Sequence, residues 1–371
     1  MAIIKNQKKL SKFKMKKLSA ILIIICISSL IIFNQCKISD GKVTLDVTAK
    51  PFEKLSEYNF FKGKISDLIP NEKVLPYDLI TALFSDYAHK ARFVWMPAGT
   101  SAKYKKDEVV EFPIGAVLIK NFYYPTDFRD ESKGRKIMET RLLVRRADKW
   151  DALTYVWNDE QTDADLNIVG DTKKVSFTNL QGEKLNIDYS YPNKNQCKNC
   201  HNLKNVQEPI GPKVRYLNKD FKYADGSKNQ LEKWTEVGYL TGYKKEENLA
   251  NKIASAFDPT SGTVEERAKS YIEINCAHCH RREGSANTTG LFLLLSEKNP
   301  ESWGTMKSPV AAGRASGNCL YDVVPGKPDE SILVYRMTEN DPEIRMPELG
   351  RSLQHKEAVQ LIRQWISEMK K

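Results

Sequence analysis

The spacing of apolar and polar positions changes near residue 190. Between residues 50 and 190, the runs RLLVRR, LTYVWN and KVSFTNLQGEKLNIDYSY are rich in β-branched and aromatic residues, and the last contains a turn at Gln181-Gly182. Such runs predict strands joined by turns. The stretch PYDLITALFSDYAHK is the exception, because its apolar residues have helical spacing after Pro76. We predict a β-rich N-terminal domain over residues 50–190.

After residue 190 the apolar residues are spaced three and four apart. The stretches NQLEKWTEVGYL, TVEERAKSYIEINCAHCH and LQHKEAVQLIRQWISEMKK show this spacing, and glycine and proline populate the segments between them. Thr263 and Glu266 form a capping pattern at the start of the second stretch. The pattern predicts a mainly α-helical region with long loops, so the predicted fold class is α+β.

The first 36 residues have the features of an export signal. Seven lysines and no acidic residue occur in residues 1–35, and the apolar run LSAILIIICISSLIIF has sixteen residues. A membrane span needs about 20 apolar residues, so the run is short for a span and its basic flank suits a signal peptide. We predict a bacterial signal peptide over residues 1–36.

Cys36 lies where the lipidated cysteine of a bacterial lipoprotein lies, although Phe33, Asn34 and Gln35 differ from the small residues usual before it. A lipoprotein, an ordinary signal peptide and an uncleaved anchor are the three alternatives. All three place residues 37–371 outside the cytoplasm. We predict a periplasmic or envelope protein that is held at the membrane through lipid on Cys36.

The chain has 371 residues and a net charge of +11, with 41% apolar and 28% charged residues. This length predicts two or three compact units, and the composition is that of a globular protein. The N-terminal lysines account for most of the charge, and no basic stripe is interleaved with aromatic residues. These features exclude nucleic acid as a partner.

Two five-residue patterns carry the candidate chemistry. Cys197-Lys-Asn-Cys200-His201 and Cys276-Ala-His-Cys279-His280 both fit C-x-x-C-H, the haem c attachment signature. Two thiols three residues apart can each add to a haem vinyl group, and the next imidazole then reaches the iron. We predict two covalently bound haem c groups, ligated by His201 and His280. The first belongs to a segment over residues 191–258 and the second to a cytochrome c-like domain over residues 259–371.

Other uses of paired cysteines fit less well. The two pairs lie 79 residues apart, whereas a zinc ribbon has roughly 15–20 residues between its pairs. A redox dithiol gives no reason for a histidine directly after both second cysteines. Simple disulfides are the remaining alternative for an exported chain.

The sixth ligand of the second haem is predicted from the methionines after His280. The candidates are Met306, Met337, Met346 and Met369. Met346 stands in RMPELGR, a loop that precedes the C-terminal helix, as the distal methionine of a cytochrome c does. We predict Met346.

The first haem has no local methionine, because none occurs between His201 and Met306. The alternatives are His89, Met96, Met138, His278 and an open iron site. We select His89, since imidazole ligates haem iron well.

Five further side chains are assigned roles beside the two motifs. Cys319 is interpreted as a small apolar residue instead of a reactive thiol. Four arginines near the second motif are candidates for neutralising haem propionates, with solvated surface positions as the alternative. They are Arg281, Arg282, Arg314 and Arg345.

The chain resembles a bacterial family of exported di-haem c-type cytochromes. The similarity runs from about residue 55 to 367, through LPYDLITALFSDYAHKARFVW, ETRLLVR, YVWNDEQTDADL, CKNCH, NCAHCH, VVPGKPDESILVYRM and MPELGR. The resemblance implies haem at both motifs, a C-terminal cytochrome c-like domain and an N-terminal domain of unknown role. It also suggests a parallel β-helix repeat protein as a partner.

These features predict an electron-transfer protein that relays electrons between a redox partner and a respiratory acceptor. A haem enzyme of peroxidase type, with an open iron at the first haem, is the alternative. A third reading makes the N-terminal segment a binding module that the haems serve.

Overall fold

The computed structural model describes residues 41–247 and 252–370. The predicted signal peptide and Cys36 lie outside the described residues. Within the described part of the chain, no helix has the length and apolar character that a membrane crossing requires.

The strands are numbered in chain order. They are β1 (Leu75–Tyr77), β2 (His89–Trp95), β3 (Ala102–Lys103), β4 (Val117–Pro125), β5 (Arg135–Arg145), β6 (Trp150–Trp157), β7 (Ala164–Asn167), β8 (Asp171–Thr178), β9 (Lys184–Tyr191), β10 (Asn202–Leu203), β11 (Val206–Gln207), β12 (Asp220–Tyr223), β13 (Gly226–Asn229) and β14 (Leu240–Thr241). Six of them form an antiparallel sheet in the order β1-β2-β4-β5-β6-β7. The others pair in twos as β8-β9, β10-β11, β12-β13 and the parallel pair β3-β14.

The helices are short with two exceptions. They are α1 (Lys194–Cys200), α2 (Val214–Leu217), α3 (Gln230–Glu236), α4 (Val264–Cys276), α5 (Ile332–Thr338) and α6 (Lys356–Glu368). Short 3₁₀ turns occupy Leu55–Tyr58, Ile65–Asp67, Glu131–Lys133, Lys245–Glu247, Asn287–Thr289, Gly313–Ser316 and Pro328–Glu330. The predicted capping pattern of α4 is present, since the Thr263 hydroxyl accepts from Glu266 N and the Glu266 carboxylate accepts from Thr263 N.

The two faces of the large sheet have different roles. One face carries Ile119, Leu142 and Tyr155, and it packs in a buried cluster with side chains from residues 55–74. Successive strand residues point to opposite faces, so Lys120 and Arg141 belong to the other face. Lys120 and Arg141 line a cavity together with residues of both cysteine motifs.

The prediction of an α+β fold with a mainly α-helical cytochrome c-like region over residues 191–371 is wrong. The structure is dominated by antiparallel sheet, and in the described part of residues 191–370 only α4 and α6 exceed seven residues. Helical spacing in this region often ends within two turns. For example, α3 ends at Glu236 because Gly238 has a φ of 77°, and Tyr239 N–H donates back to the Trp234 carbonyl.

The helix expected after Pro76 is also absent. Backbone N–H groups in this stretch donate to distant partners, with Ile80 N to Tyr216 O at 2.9 Å and Phe84 N to Asn275 Oδ1 at 2.8 Å. Asp86 and Tyr87 have φ values of 47° and 61°. Because these groups bond outside the segment, the helical hydrogen bonds that its apolar spacing predicts are not made.

One buried cluster crosses the predicted segment boundaries. It contains Val94 from the sheet, Val214 and Trp234 from the middle of the chain, and Ile274 from α4. The sheet and the two motif-bearing segments therefore share a core.

Asp86, between β1 and β2, is hydrogen-bonded to the loop that follows Met346. Its carboxylate accepts hydrogen bonds from Ser352 N and Leu353 N, both at 2.7 Å, and from the Ser352 hydroxyl at 2.9 Å. We expect Asp86→Ala to lower the free energy of unfolding in urea by about 2–3 kcal/mol, because it leaves two amides without an acceptor. Asp188→Ala, on the exposed side of β9, is the control and should change it by less than about 0.5 kcal/mol. Equal values for the two variants would contradict this role.

Candidate functional site

The first motif lies on α1, directly after the β8-β9 hairpin. The helix begins after Asn193, whose side chain accepts from Gln196 N at 2.9 Å, while the Gln196 side chain accepts from Asn193 N. Cys197 and Cys200 lie one turn apart on this helix, and His201 N–H donates to the Cys197 carbonyl at 3.0 Å. Local capping therefore sets both thiols and the imidazole on one turn of chain.

The second motif follows the end of α4 at Cys276. His280 N–H donates to the Cys276 carbonyl at 2.9 Å, as in the first motif. The chain then folds back so tightly that a Cβ on Gly284 would lie 2.2 Å from the Cys279 carbonyl oxygen. The turn that follows the motif accordingly requires glycine.

The two motifs line two cavities, and Cys200 of the first motif belongs to the lining of both. The first cavity has a volume of about 300 Å³ and is lined by Cys197, Cys200 and His201, among others. The second cavity has a volume of about 410 Å³ and is lined by Cys276, Cys279 and His280. Both volumes lie in the range of roughly 300–1,000 Å³ that is usual for ligand and cofactor sites.

The two cavities are neighbours. Phe84, His278 and Pro347 contribute to the lining of both. Apolar side chains line much of the second cavity, including Leu291, Leu293, Trp303, Val323 and Ile332.

Both motif histidines are oriented in the same way. His201 Nδ1 lies 2.8 Å from the Glu208 carbonyl oxygen, and His280 Nδ1 lies 3.2 Å from the Thr289 hydroxyl. Within the described residues neither Nε2 atom has a hydrogen-bond partner. Histidines that ligate a metal usually donate their second ring N–H to a carbonyl or similar group, which fixes the ring and leaves the other nitrogen for the metal.

Burial sets the ionisation of these side chains. It lowers the pKa of His201 and of His280 to about 4 each, so both imidazoles are neutral at pH 7, the form that ligates metals. Burial also raises the pKa of Cys276 to about 12. A hydrogen bond from the Cys200 thiol lowers the pKa of Cys279.

The two motifs meet in space. The ligand atoms of Cys200, His278 and Cys279 all lie within 4.8 Å of one another. From the sequence, His278 was one of the alternatives for the first haem, and His89 was selected over it. His278 lies between the two cavities, and its buried Nδ1 has no hydrogen-bond partner within the described residues.

The structure narrows the methionine candidates for the second haem. Met346 and Met337 both line the second cavity. Met306 is 49% exposed, and Met369 packs beside the buried cluster that contains α6; neither contributes to the described lining. Met337 is also a core residue of that cluster.

The candidates for the first haem are placed differently. His89 packs against the rings of Tyr123 and Phe128, and its Nδ1 lies 3.4 Å from a carboxylate oxygen of Glu131. Met96 and Met138 are buried in two other clusters. Of these four side chains, His278 alone belongs to the described lining of the first cavity. The position of His89 therefore does not favour it as a ligand of the first haem.

Cations line both cavities, but most are not the ones predicted. Of the four predicted arginines, Arg345 lines the first cavity. The others pair with carboxylates: Arg281 with Glu108 and Glu283, Arg282 with Glu297, and Arg314 with Asp341. Sequence reasoning missed Arg92, Lys120, Arg141 and Arg351 in the first cavity and Arg336 in the second. The alternation of β2, β4 and β5 could have indicated the first three as residues of one face.

The residues present fit haem c at both motifs. Each cavity is lined by the two thiols and the fixed neutral imidazole of its own motif and by cationic side chains that suit carboxylates, and Cys200 adds a third thiol to the second cavity. Comparison of the chain with family models, with curated proteins and with solved structures found no match.

Proposed function

We propose that this protein is a di-haem c-type electron-transfer protein. The observation that carries the proposal is that the cysteines and histidine of each C-x-x-C-H motif line one of two neighbouring cavities, with Cys200 in the lining of both, and that each motif histidine has its Nδ1 held by an oxygen atom and its Nε2 left without a partner among the described residues. Bound haem would supply a reversible one-electron change at its iron.

The chain's own residues would hold and shield the two groups. Cys197 and Cys200 would tether one haem and His201 would bind its iron. Cys276, Cys279 and His280 would do the same for the other. The apolar side chains that line the second cavity would limit the access of water to the group, and Met346 would be a further residue that holds its iron. The shared wall of the cavities supports transfer of electrons between the two groups.

The proposal places the protein in the cell envelope. Residues 1–36 would direct export, and a lipid on Cys36 would hold the protein at the membrane. Its partners would be redox proteins that deliver or accept single electrons, and the resemblance adds a parallel β-helix repeat protein to the candidates.

Haem stoichiometry tests the proposal. We expect intact-mass spectrometry of the full-length chain, made together with a haem c attachment system, to give two covalent haems per chain. The paired changes Cys197→Ala with Cys200→Ala should leave one haem, and so should Cys276→Ala with Cys279→Ala. Cys319→Ala is the matched control and should keep two. A wild-type chain with no covalent haem would refute the proposal.

The second candidate function is a soft-metal site. Cys200, His278 and Cys279 present two sulfur atoms and one nitrogen within 4.8 Å of one another, and such ligands suit zinc. The same preparation distinguishes the two candidates, because a chain that holds one zinc ion and no haem, and loses the zinc with Cys200→Ser, would favour the metal site.

A further inference from the structure

Three cations lie side by side on one face of the sheet. Arg92 on β2 is directly opposite Lys120 on β4, and Lys120 is directly opposite Arg141 on β5. We call these three residues the cation row. Like charges directly opposite each other on neighbouring strands destabilise a sheet. Burial, and next the neighbouring Arg92, lower the pKa of Lys120 well below its usual value. The charged form of Lys120 is therefore unfavourable at this place unless negative charge is supplied.

The protein supplies only part of that charge. Arg92 Nη1 lies 2.7 Å from an Asp78 oxygen, and Arg141 Nη2 lies 2.5 Å from a Glu139 oxygen. Arg92 is 5% exposed, and its Nη2 is buried with no hydrogen-bond partner. Lys120 has no carboxylate oxygen within 4 Å among the described residues; its ammonium lies 4.7 Å from the centre of the Phe122 ring.

All three members of the cation row line the first cavity. The single carboxylate in the described lining is that of Asp86, which is already bonded to the amides of Ser352 and Leu353. A cavity wall with several cations and a buried, unpartnered guanidinium nitrogen is what a carboxylate ligand requires, because buried charges are stable only when paired.

We propose that the cation row binds the carboxylate of a ligand in the first cavity. Two sources have this chemistry. One is a propionate of the haem held by Cys197, Cys200 and His201, in which case the inference rests on the proposed function. The other is a free small carboxylate that enters the cavity beside the motif.

The test uses the full-length, haem-loaded chain and the variant Lys120→Met, which keeps most of the side-chain length and removes the cation without a carboxylate partner. Lys174→Met, on β8 with a side chain that is 90% exposed, is the matched control. For each chain the thermal midpoint is measured with sodium succinate and with sodium chloride at equal ionic strength. The reduction potential of the first haem is measured alongside.

Two results support the proposal and identify the source. If the ligand is the propionate, Lys120→Met lowers the midpoint by at least about 2 °C relative to Lys174→Met. It also lowers the potential of the first haem, since a nearby cation favours the reduced form, and succinate has no effect on wild type. If the ligand is a free carboxylate, succinate raises the midpoint of wild type and leaves that of Lys120→Met unchanged.

One result overturns it. The proposal fails if the thermal midpoint of Lys120→Met equals or exceeds that of wild type and succinate does not change the midpoint of wild type. The cation row would then bind no carboxylate, and its members would only repel one another. The haem content of the same samples separates this failure from failure of the proposed function. A chain that lacks the first haem refutes the di-haem assignment, while its response to succinate still decides whether the row binds a carboxylate.

Discussion

Replacing Glu273 by alanine is expected to lower the free energy of unfolding by about 3–5 kcal/mol. Glu273 lies on α4, one turn before Cys276, and is 2% exposed. Arg215 Nη2 lies 2.5 Å from its carboxylate, and the Tyr216 hydroxyl donates to it at 2.6 Å. The carboxylate thus joins the helix that carries the second motif to the segment that follows the first.

The predicted loss of stability is large because Glu273→Ala leaves buried groups without their partner. The Arg215 side chain is only 9% exposed and would keep its charge without the buried partner, since the carboxylate that remains, Asp107 at 3.5 Å, is 62% exposed. Leu295 N, which donates to the other carboxylate oxygen at 2.8 Å, would also lose its acceptor. Removing one member of a buried ion pair costs far more than the pair contributes, because the other charge stays buried.

The control is on the same helix. Glu265 pairs with Lys269 at 2.6 Å, with its side chain 60% exposed, and Glu265→Ala should cost less than about 1 kcal/mol. Denaturant unfolding of both variants measures the difference. Similar losses for Glu265→Ala and Glu273→Ala would show that the buried cluster does not hold the two segments together.

Replacing Met346 by alanine in the haem-loaded chain is expected to change the coordination of the second haem alone. A thioether ligand raises the potential of haem iron, and axial ligands set potentials over a range of about 0.8 V. We therefore expect loss of the near-infrared charge-transfer band of methionine-ligated ferric haem. The potential of the second haem should fall on the order of 0.1 V or more.

Two control variants make the result specific. Met306→Ala, at a residue that is 49% exposed, should leave the spectrum unchanged. Met337→Ala should reduce stability, because Met337 packs in the core, but should retain the charge-transfer band. A band that survives Met346→Ala and disappears in Met337→Ala would transfer the ligand role to Met337.

Local patterns predicted the parts of the fold that depend on neighbours in the chain. The runs RLLVRR and LTYVWN lie in or overlap β5 and β6, and the turn at Gly182 joins β8 to β9. Alternation works here because one sheet face is buried by residues 55–74. The prediction of a helix after Pro76 was wrong because backbone N–H groups of this segment donate hydrogen bonds to Tyr216 and Asn275 instead of to the segment itself.

Most of the cavity lining could not be predicted from the sequence. Arg92, Lys120 and Arg141 stand next to one another only through the register of three strands. The ligand predicted for the first haem could not be placed from the sequence either. His89 was selected because imidazole ligates iron, but it does not belong to the described lining of the first cavity. His278 was an alternative that was not selected, although its ligand atom lies within 4.8 Å of the Cys200 sulfur.

The sequence by itself determined the candidate haem-attachment unit, because the C-x-x-C-H spacing places two thiols and an imidazole within five consecutive residues. It also determined where strands alternate and where α4 is capped. Tertiary structure alone decided that Cys200 and Cys279 are neighbours and that three cations share one cavity wall. Those contacts join residues tens of positions apart, and only the packing of the sheet against the motif segments brings them together.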